Sequence, residues 1–269
     1  MHSRLVFSAL LLLTAPLSAQ RAERFMRDCD DDNNWYSDRR REQFCEVREL
    51  RVRVPERLVV DGRENGGVAF YGWERDEILV RALVRANGET RREAEQLARS
   101  IEISTGDGRI RAEGPNSQRS QRAGWSVSYE IMVPRRMDLS ATTSNGGISV
   151  EQVDGRMDFE AENGGIAVRD AAGSISAHTT NGGVSARLTG TSWRGERLDL
   201  RTTNGGVSLD IPQGYNAELE TGTVNGGMEI DFPVTIQGRI NRRIRTTLGR
   251  GGPMVRAVTT NGGVKIRER

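Results

Sequence analysis

The chain has 269 residues, with 36% hydrophobic and 5% aromatic side chains, 31 glycines and 7 prolines. Its 39 basic residues nearly balance 37 acidic ones, a formal net charge of +2, which argues against a nucleic-acid binder with a broad basic face. No apolar run reaches the roughly 18 residues of a membrane span, and two cysteines, two histidines and one lysine, Lys265, give no basis for a multi-ligand zinc site, lysine chemistry or any cofactor.

In chain order, His2 and Arg4 precede an apolar run from Leu5 to Leu13, followed by Leu17-Ser18-Ala19. A basic start, a short apolar core and a small residue at the cut are the parts of a secretory signal peptide. Cleavage is expected after Ala19, with a periplasmic, secreted or cell-surface destination. Cys29 and Cys45 then stand in an exported chain where oxidation is permitted, and as the only two cysteines they have one possible pairing, so a disulfide between them is expected. Between them, Asp28-Cys29-Asp30-Asp31-Asp32-Asn33-Asn34 falls short of a calcium loop: Arg39 stands where the closing glutamate belongs, and no glycine occupies the sixth place.

Asn65-Gly66-Gly67, with Val68 and Phe70 after it, reads as a first turn of a repeat. Ile78 to Val84 reads as a strand. Thr90-Arg91-Arg92-Glu93 has the capping-box form, and Ala94, Leu97, Ala98 and Ile101 follow at helical spacing, which predicts a helix over 90–100. Strands are expected at Ile101 to Ser104, Arg109 to Ala112 and Trp125 to Val133, with a polar loop from Pro115 to Ala123. The helix is positioned to cap the open end of the sheets, where strand edges would otherwise be exposed.

Asn-Gly-Gly recurs at Asn65, Asn145, Asn163, Asn181, Asn204, Asn225 and Asn261, at intervals of 80, 18, 18, 23, 21 and 36 residues. Apolar residues stand four and six places before most of these (Ala141 and Leu139, Phe159 and Met157, Leu200 and Leu198) and three and five places after them (Ile148 and Val150, Val207 and Leu209). A spacing of two means strands with one apolar face. Asparagine and glycine tolerate positive φ, so each Asn-Gly-Gly is expected to be a tight corner. Two arrangements satisfy the pattern. Antiparallel hairpins would close at each Asn-Gly. A β-solenoid would stack one coil per repeat in parallel, and recurrence of the same asparagine favours it, because like amides can stack into a ladder.

The stretch Trp125-Ser126-Val127-Ser128-Tyr129-Glu130-Ile131-Met132-Val133-Pro134, followed by Leu139-Ser140-Ala141-Thr142-Thr143-Ser144-Asn145-Gly146-Gly147-Ile148, resembles the "putative adhesin" family of bacterial envelope proteins, over residues 50 to 269. The resemblance implies an all-β fold similar to the right-handed β-helix and a surface role, and it brings no catalytic residues. The chain thus divides into a signal peptide at 1–19, a disulfide-bearing segment at 20–50, a β part with one helix at 51–134 and the repeat solenoid at 135–269, with 51–269 one continuous domain.

Catalysis has little to stand on. His178 would neighbour Glu160 and Arg201 in a parallel stack, with no serine or cysteine nucleophile beside it. Glu151, Asp154, Asp158, Glu160, Glu162 and Asp170 bring to mind the acidic clefts of polysaccharide enzymes, but Arg156 and Arg169 interleave with them, as on a mixed charged face. Threonines before the asparagines (Thr142-Thr143, Thr179-Thr180, Thr202-Thr203, Thr259-Thr260) form a stripe that Ala161-Glu162 and Thr223-Val224 interrupt, so turn and β propensity account for it better than ice binding.

Two insertions, Thr189 to Gly195 and Pro233 to Pro253, leave the repeat opposite the Asn corners. They are expected to gather Trp193, Arg194, Arg197, Arg239, Arg242, Arg243, Arg245 and Arg250 on one edge. Arginines there suit phosphate or carboxylate ligands, so the expected partners are acidic envelope glycans, lipid head groups or a protein, with no nucleic acid. The alternative is an extra hairpin with Ile236, Ile240 and Ile244 buried and its arginines solvated. The expected role is a non-enzymatic, adhesin-like binding or scaffolding module. The rivals are a polysaccharide enzyme and an envelope-stress protein working through a protein partner.

Overall fold

The computed structural model describes residues 29, 41–115, 124–233 and 242–269. The expected leader, the acidic stretch other than Cys29, the loop at 116–123, and Ile236, Arg239 and Ile240 lie outside the described residues. Strands β1 (Glu42–Val52), β2 (Arg57–Asp61), β3 (Val68–Trp73) and β4 (Ile78–Gly88) precede helix α1 (Arg91–Arg99). After it come β5 (Glu102–Ser104), β6 (Arg109–Glu113) and β7 (Gly124–Pro134). The repeat supplies β8 (Asp138–Thr143), β9 (Ile148–Glu151), β10 (Asp154–Ala161), β11 (Ile166–Arg169), β12 (Ala172–Asn181), β13 (Val184–Arg187), β14 (Arg197–Asn204), β15 (Val207–Ile211), β16 (Ala217–Asn225), β17 (Met228–Ile230), β18 (Arg243–Leu248), β19 (Met254–Asn261) and β20 (Val264–Glu268).

These strands form two sheets of ten. One runs β1-β4-β7-β3-β9-β11-β13-β15-β20-β17 and the other β18-β16-β19-β14-β12-β10-β8-β2-β6-β5. Each coil gives one strand to the second sheet, turns at Asn-Gly-Gly, and gives its next strand to the first. Neighbouring coils pair in parallel and in register: Phe159 lies between Ala141 and Ala177, and Asn181 pairs with Asn204. Hairpins at the Asn-Gly corners would have made these ladders antiparallel, so the repeat is solenoid-like. The residues at the alternating apolar positions line a single core between the sheets, where Phe70 and Phe159 stack at 5.9 Å. Full burial of a side chain of this size contributes about 1.5–3 kcal/mol.

The corners differ from expectation in their physics. No asparagine of the repeat has a positive φ, and of the glycines directly after them only Gly262 does, at +155°. These glycines are required because the coils touch. A Cβ on Gly146, Gly164, Gly182 or Gly205 would lie 1.9–2.3 Å from the carbonyl oxygen of the equivalent glycine one coil away. The second glycine of each corner has more room; at Gly183 the nearest oxygen would be 3.5 Å away.

The threonine stripe also resolves into two roles. Thr143, Thr179, Thr202, Thr223 and Thr259 point inward and are buried. Each donates its hydroxyl to the first corner glycine of the adjacent coil: Thr179 to Gly164 at 2.7 Å, Thr202 to Gly182 at 2.7 Å, Thr259 to Gly205 at 2.8 Å. The threonine methyl fills the core while its hydroxyl meets a carbonyl, so the residue suits a position that is apolar on one side only. From the Asn145 corner onward, Ala161 is the one coil member without the hydroxyl; in the first coil Gly62 holds the matching place.

The stack does not follow chain order. β19 lies between β14 and β16, and β20 lies between β15 and β17. The final coil is thus inserted between the two that precede it. Charge complements this arrangement. Arg256 on β19 sits between Asp199 on β14 (4.0 Å) and Glu220 on β16 (3.2 Å), while Lys265 on β20 meets Glu229 on β17 at 2.8 Å. Arg267 stands in register with Asp210 on β15. Stacked in chain order and in the same register, β16 would set Glu220 beside Asp199. The basic coil separates two acidic ones.

At the other end, β7 and β4 run antiparallel and β1 runs antiparallel to β4. β1 escaped the sequence reading because its charged residues break the alternation: it is an edge strand with no fully buried residue. Helix α1 has the predicted capping box, with the Thr90 hydroxyl accepting from the Glu93 amide at 3.2 Å. It packs against β4 and β1 through Ala94 and Ala98. The Arg48 guanidinium on β1 donates to the carbonyl of Ala98 at 2.7 Å, tying the helix C-terminus to the sheet. The bridge between Cys29 and Cys45 is formed, Cα to Cα 5.5 Å, and anchors residue 29 to β1.

Candidate functional site

The asparagines form one continuous amide ladder along the Asn-corner edge. Each side-chain NH2 donates to the amide oxygen of the next asparagine in the stack. Asn145 donates to Asn65 (3.2 Å), Asn163 to Asn145 (2.9 Å), Asn181 to Asn163 (2.8 Å) and Asn204 to Asn181 (2.8 Å). Asn261 then donates to Asn204 (2.7 Å) and Asn225 to Asn261 (2.8 Å). The ladder follows spatial order, so Asn261 precedes Asn225. Because every amide is matched to the next, this edge is structural, and among the described residues Asn65 is the ladder member whose NH2 has no amide acceptor in the stack.

His178 does lie in register between Glu160 and Arg201 on the outer face of the second sheet. Arg201 is engaged elsewhere: its guanidinium grips Asp199 through Nε at 2.7 Å and through a second nitrogen, and these hydrogen bonds hold it still more firmly protonated. The carboxylates singled out in the sequence do not converge. Glu151 lies on the first sheet, Asp158 and Glu160 on the second, Glu162 at an Asn corner and Asp170 at the opposite corner.

The predicted arginine edge is only partly assembled. The loop at 188–196 and the turns at 212–216 and 249–253 do meet on the side opposite the asparagines. Ser192 and Asn216 form a β-bridge, the Asn216 amide nitrogen donates to Thr191 O at 2.8 Å, and Arg250 N donates to Asn216 Oδ1 at 2.7 Å. Arg194, Arg197 and Arg250 are exposed there, with no ion pair among the described residues. Tyr215 lies beneath; burial pushes its hydroxyl up, an effect opposed by the Arg194 charge.

Trp193 departs from the expectation. It is 4% exposed, and its indole N–H donates to Gly173 O at 2.9 Å, so it plugs the core as an anchor of its loop. The long insertion departs too. Its strand β18 pairs antiparallel with β16, so the chain doubles back across the sheet, Ile244 is buried, and the arginines are spread out. Arg243 faces Gly222, close to the Asn corner; Arg242 beside it is exposed, and Arg245 lies mid-strand 3.8 Å from Glu220. The described part of this segment, β18, is therefore an added antiparallel strand on β16, and its arginines do not join the loop edge; Ile236, Arg239 and Ile240 lie outside the described residues.

The family model described as Toastrack DUF4097 matches residues 135–267. Among solved structures, a "putative cell adhesion protein" from Clostridium sporogenes aligns over 85% of this chain and 100% of its own, at 8% identity and a TM-score of 0.44. A "putative adhesin" from Parabacteroides merdae aligns over 83% and 96%, at 11% identity and a TM-score of 0.34. A "Putative lipid binding protein" from Parabacteroides distasonis aligns over 83% and 97%, at 9% identity and a TM-score of 0.28. No curated protein matches the chain.

Proposed function

We propose that this chain, whose residues 135–267 form a Toastrack DUF4097 domain, is an exported, non-enzymatic binding module of the bacterial envelope. Its ligands on this reading are phosphate- or carboxylate-bearing groups of acidic glycans or lipid head groups. The reading rests on one observation: three loops are tied together opposite the asparagine ladder, and Arg194 and Arg250 on them, with Arg197 at the start of β14, are exposed and without ion pairs among the described residues. Guanidinium forks recognise such groups bidentately, and a rigid support keeps them in place. The disulfide accords with an oxidising compartment outside the cytoplasm. A right-handed, β-helix-like winding goes with this reading, since parallel strand-to-strand connections are overwhelmingly right-handed.

The test is sedimentation of the mature chain with vesicles containing phosphatidylglycerol, and separately retention on an immobilised uronic-acid polysaccharide, each at low and high salt. A variant with Arg194, Arg197 and Arg250 changed to Ser is the comparison. Salt-sensitive binding that the variant loses supports the reading, and whichever arm binds identifies the source. No binding in either arm, or equal binding by both proteins, overturns it and transfers the role to a protein partner.

A further inference from the structure

Asn-Gly is a sequence at which a chain readily attacks its own side chain, because glycine puts no Cβ in the way of its amide nitrogen. At each of the seven corners the glycine nitrogen, once it loses its proton, can bond the asparagine Cγ. The Cγ–Nδ2 bond then breaks, ammonia leaves, and a succinimide ring is closed. Water opens the ring at either carbonyl and leaves aspartate or isoaspartate, so one water is consumed for each ammonia released. Three hydrogen bonds oppose ring closure in the folded chain: one donated by the asparagine Nδ2, one accepted by its Oδ1, and one donated by the glycine N–H. The first two stop the carboxamide from turning towards the backbone, and the third keeps the attacking nitrogen protonated and committed.

The corners differ in how many of the three they make. Asn181, Asn204 and Asn261 each donate and accept in the ladder, and the glycine after each donates to the asparagine carbonyl of the next coil. Gly182 reaches Asn204 O at 3.0 Å, Gly205 reaches Asn261 O at 2.9 Å and Gly262 reaches Asn225 O at 3.0 Å. Asn145 and Asn163 have both ladder bonds, but the N–H groups of Gly146 and Gly164 make no hydrogen bond among the described residues. Asn65 accepts from Asn145, and Gly66 donates to Gly62 O at 3.0 Å, so it also has two. Asn225 keeps one. Its NH2 donates to Asn261 at 2.8 Å, but the next strand in the sheet is β18, which carries no such corner. Among the described residues neither the Asn225 Oδ1 nor the Gly226 N–H has a partner. Gly226 is also the one exposed member of the seven first glycines; Gly66 is buried and the others are half-buried.

We propose that Asn225 is a site of spontaneous deamidation and that the asparagine ladder shields the other six Asn-Gly bonds from the same reaction. Each hydrogen bond slows ring closure about fivefold, so three rate classes follow: Asn225 converts fastest, Asn65, Asn145 and Asn163 about fivefold slower, and Asn181, Asn204 and Asn261 about fivefold slower again. Aspartate or isoaspartate at position 225 has no NH2 to donate. A carboxylate oxygen then faces Asn261 Oδ1, acceptor against acceptor, and isoaspartate also lengthens the backbone at the corner. The side-chain bond that ties the outermost coil, β16 to β17, into the ladder is lost. The ladder is on this account a chemical guard as well as a mechanical one, and its unguarded end is where the folded chain ages first. None of the arginine loops takes part, so this chemistry and anion binding stand or fall separately.

The test is incubation of the full mature chain at mildly alkaline pH, where the glycine amide gives up its proton more readily, followed by peptide mapping in a mass spectrometer. Asn204 and Asn225 share one tryptic peptide and are told apart by fragmentation. Conversion is expected first at Asn225 and then in the order above, whereas the same chain unfolded in urea is expected to convert at all seven corners alike. Asn163→Ala takes the acceptor from Asn181 and the donor to Asn145 away, so both are expected to convert about fivefold faster with the other rates unchanged. The comparison of folded and urea-unfolded parent needs no variant and decides the matter even where this one fails to fold. Asn225 leading in the folded chain, with the order lost in urea, supports the proposal. Equal rates at all seven folded corners, another corner leading, an order that persists in urea, or an Asn225 that stays intact in the folded chain overturns it.

Discussion

Replacing each glycine of one corner separately tests whether coil contact, and not backbone conformation, dictates Asn-Gly-Gly. In Gly182→Ala the new Cβ would lie 2.3 Å from Gly164 O, well inside the 3.0 Å that real Cβ contacts respect. That oxygen cannot step aside: it accepts the Thr179 hydroxyl at 2.7 Å, and Thr179 is wholly buried. The Asn181–Asn163 amide bond at 2.8 Å lies one residue away. Opening the gap means straining or losing both bonds, at about 1 kcal/mol each, with about 1–3 kcal/mol of overpacking besides. A loss of about 3 kcal/mol is expected. In Gly183→Ala the nearest oxygen is 3.5 Å away, an ordinary contact, and φ is outside the left-handed region. There the reduced freedom of the unfolded chain offsets any small repacking cost, leaving a change within about 0.5 kcal/mol of zero. Urea unfolding of both variants, followed by far-UV circular dichroism, reads the difference directly. Equal destabilisation would refute the reasoning and assign the glycines to backbone conformation.

Three further outcomes are expected. Thr202→Val keeps the shape and removes the hydroxyl bonded to Gly182 O, and should cost about 1 kcal/mol; Ala161→Thr supplies the hydroxyl missing from its coil, opposite Gly146, and should gain about 0.5–1 kcal/mol, both read from urea midpoints. Arg256→Glu places a third carboxylate between Asp199 and Glu220, and should destabilise by about 3 kcal/mol, less at high salt, with hydrogen exchange speeding first in β19 and β20; no salt dependence would refute the role of charge in the insertion. Replacing Cys29 and Cys45 together by serine opens a loop of sequence separation 16 and should lower stability by up to about 3 kcal/mol, seen as a lower melting temperature than that of the oxidised parent.

Much of the architecture is local and therefore legible in the linear chain. The two-residue alternation around each asparagine names the inward face of nearly every repeat strand, and Thr90 with Glu93 marks the helix start, because these signals act over a few residues. What the linear pattern could not order is the stack itself. All seven corners present the same asparagine and glycines, so the repeat motif alone does not say which coil docks on which. The choice falls to side chains far apart in sequence: Asp199, Glu220 and Arg256 meet only once the final coil enters between its predecessors. Trp193 looked like a surface aromatic because its neighbours are polar, yet it is buried since its loop folds back over Gly173. Asn225 carries the same motif as the other six asparagines. It ends the ladder only because the final coil enters between β14 and β16, and that order exists in the tertiary structure alone.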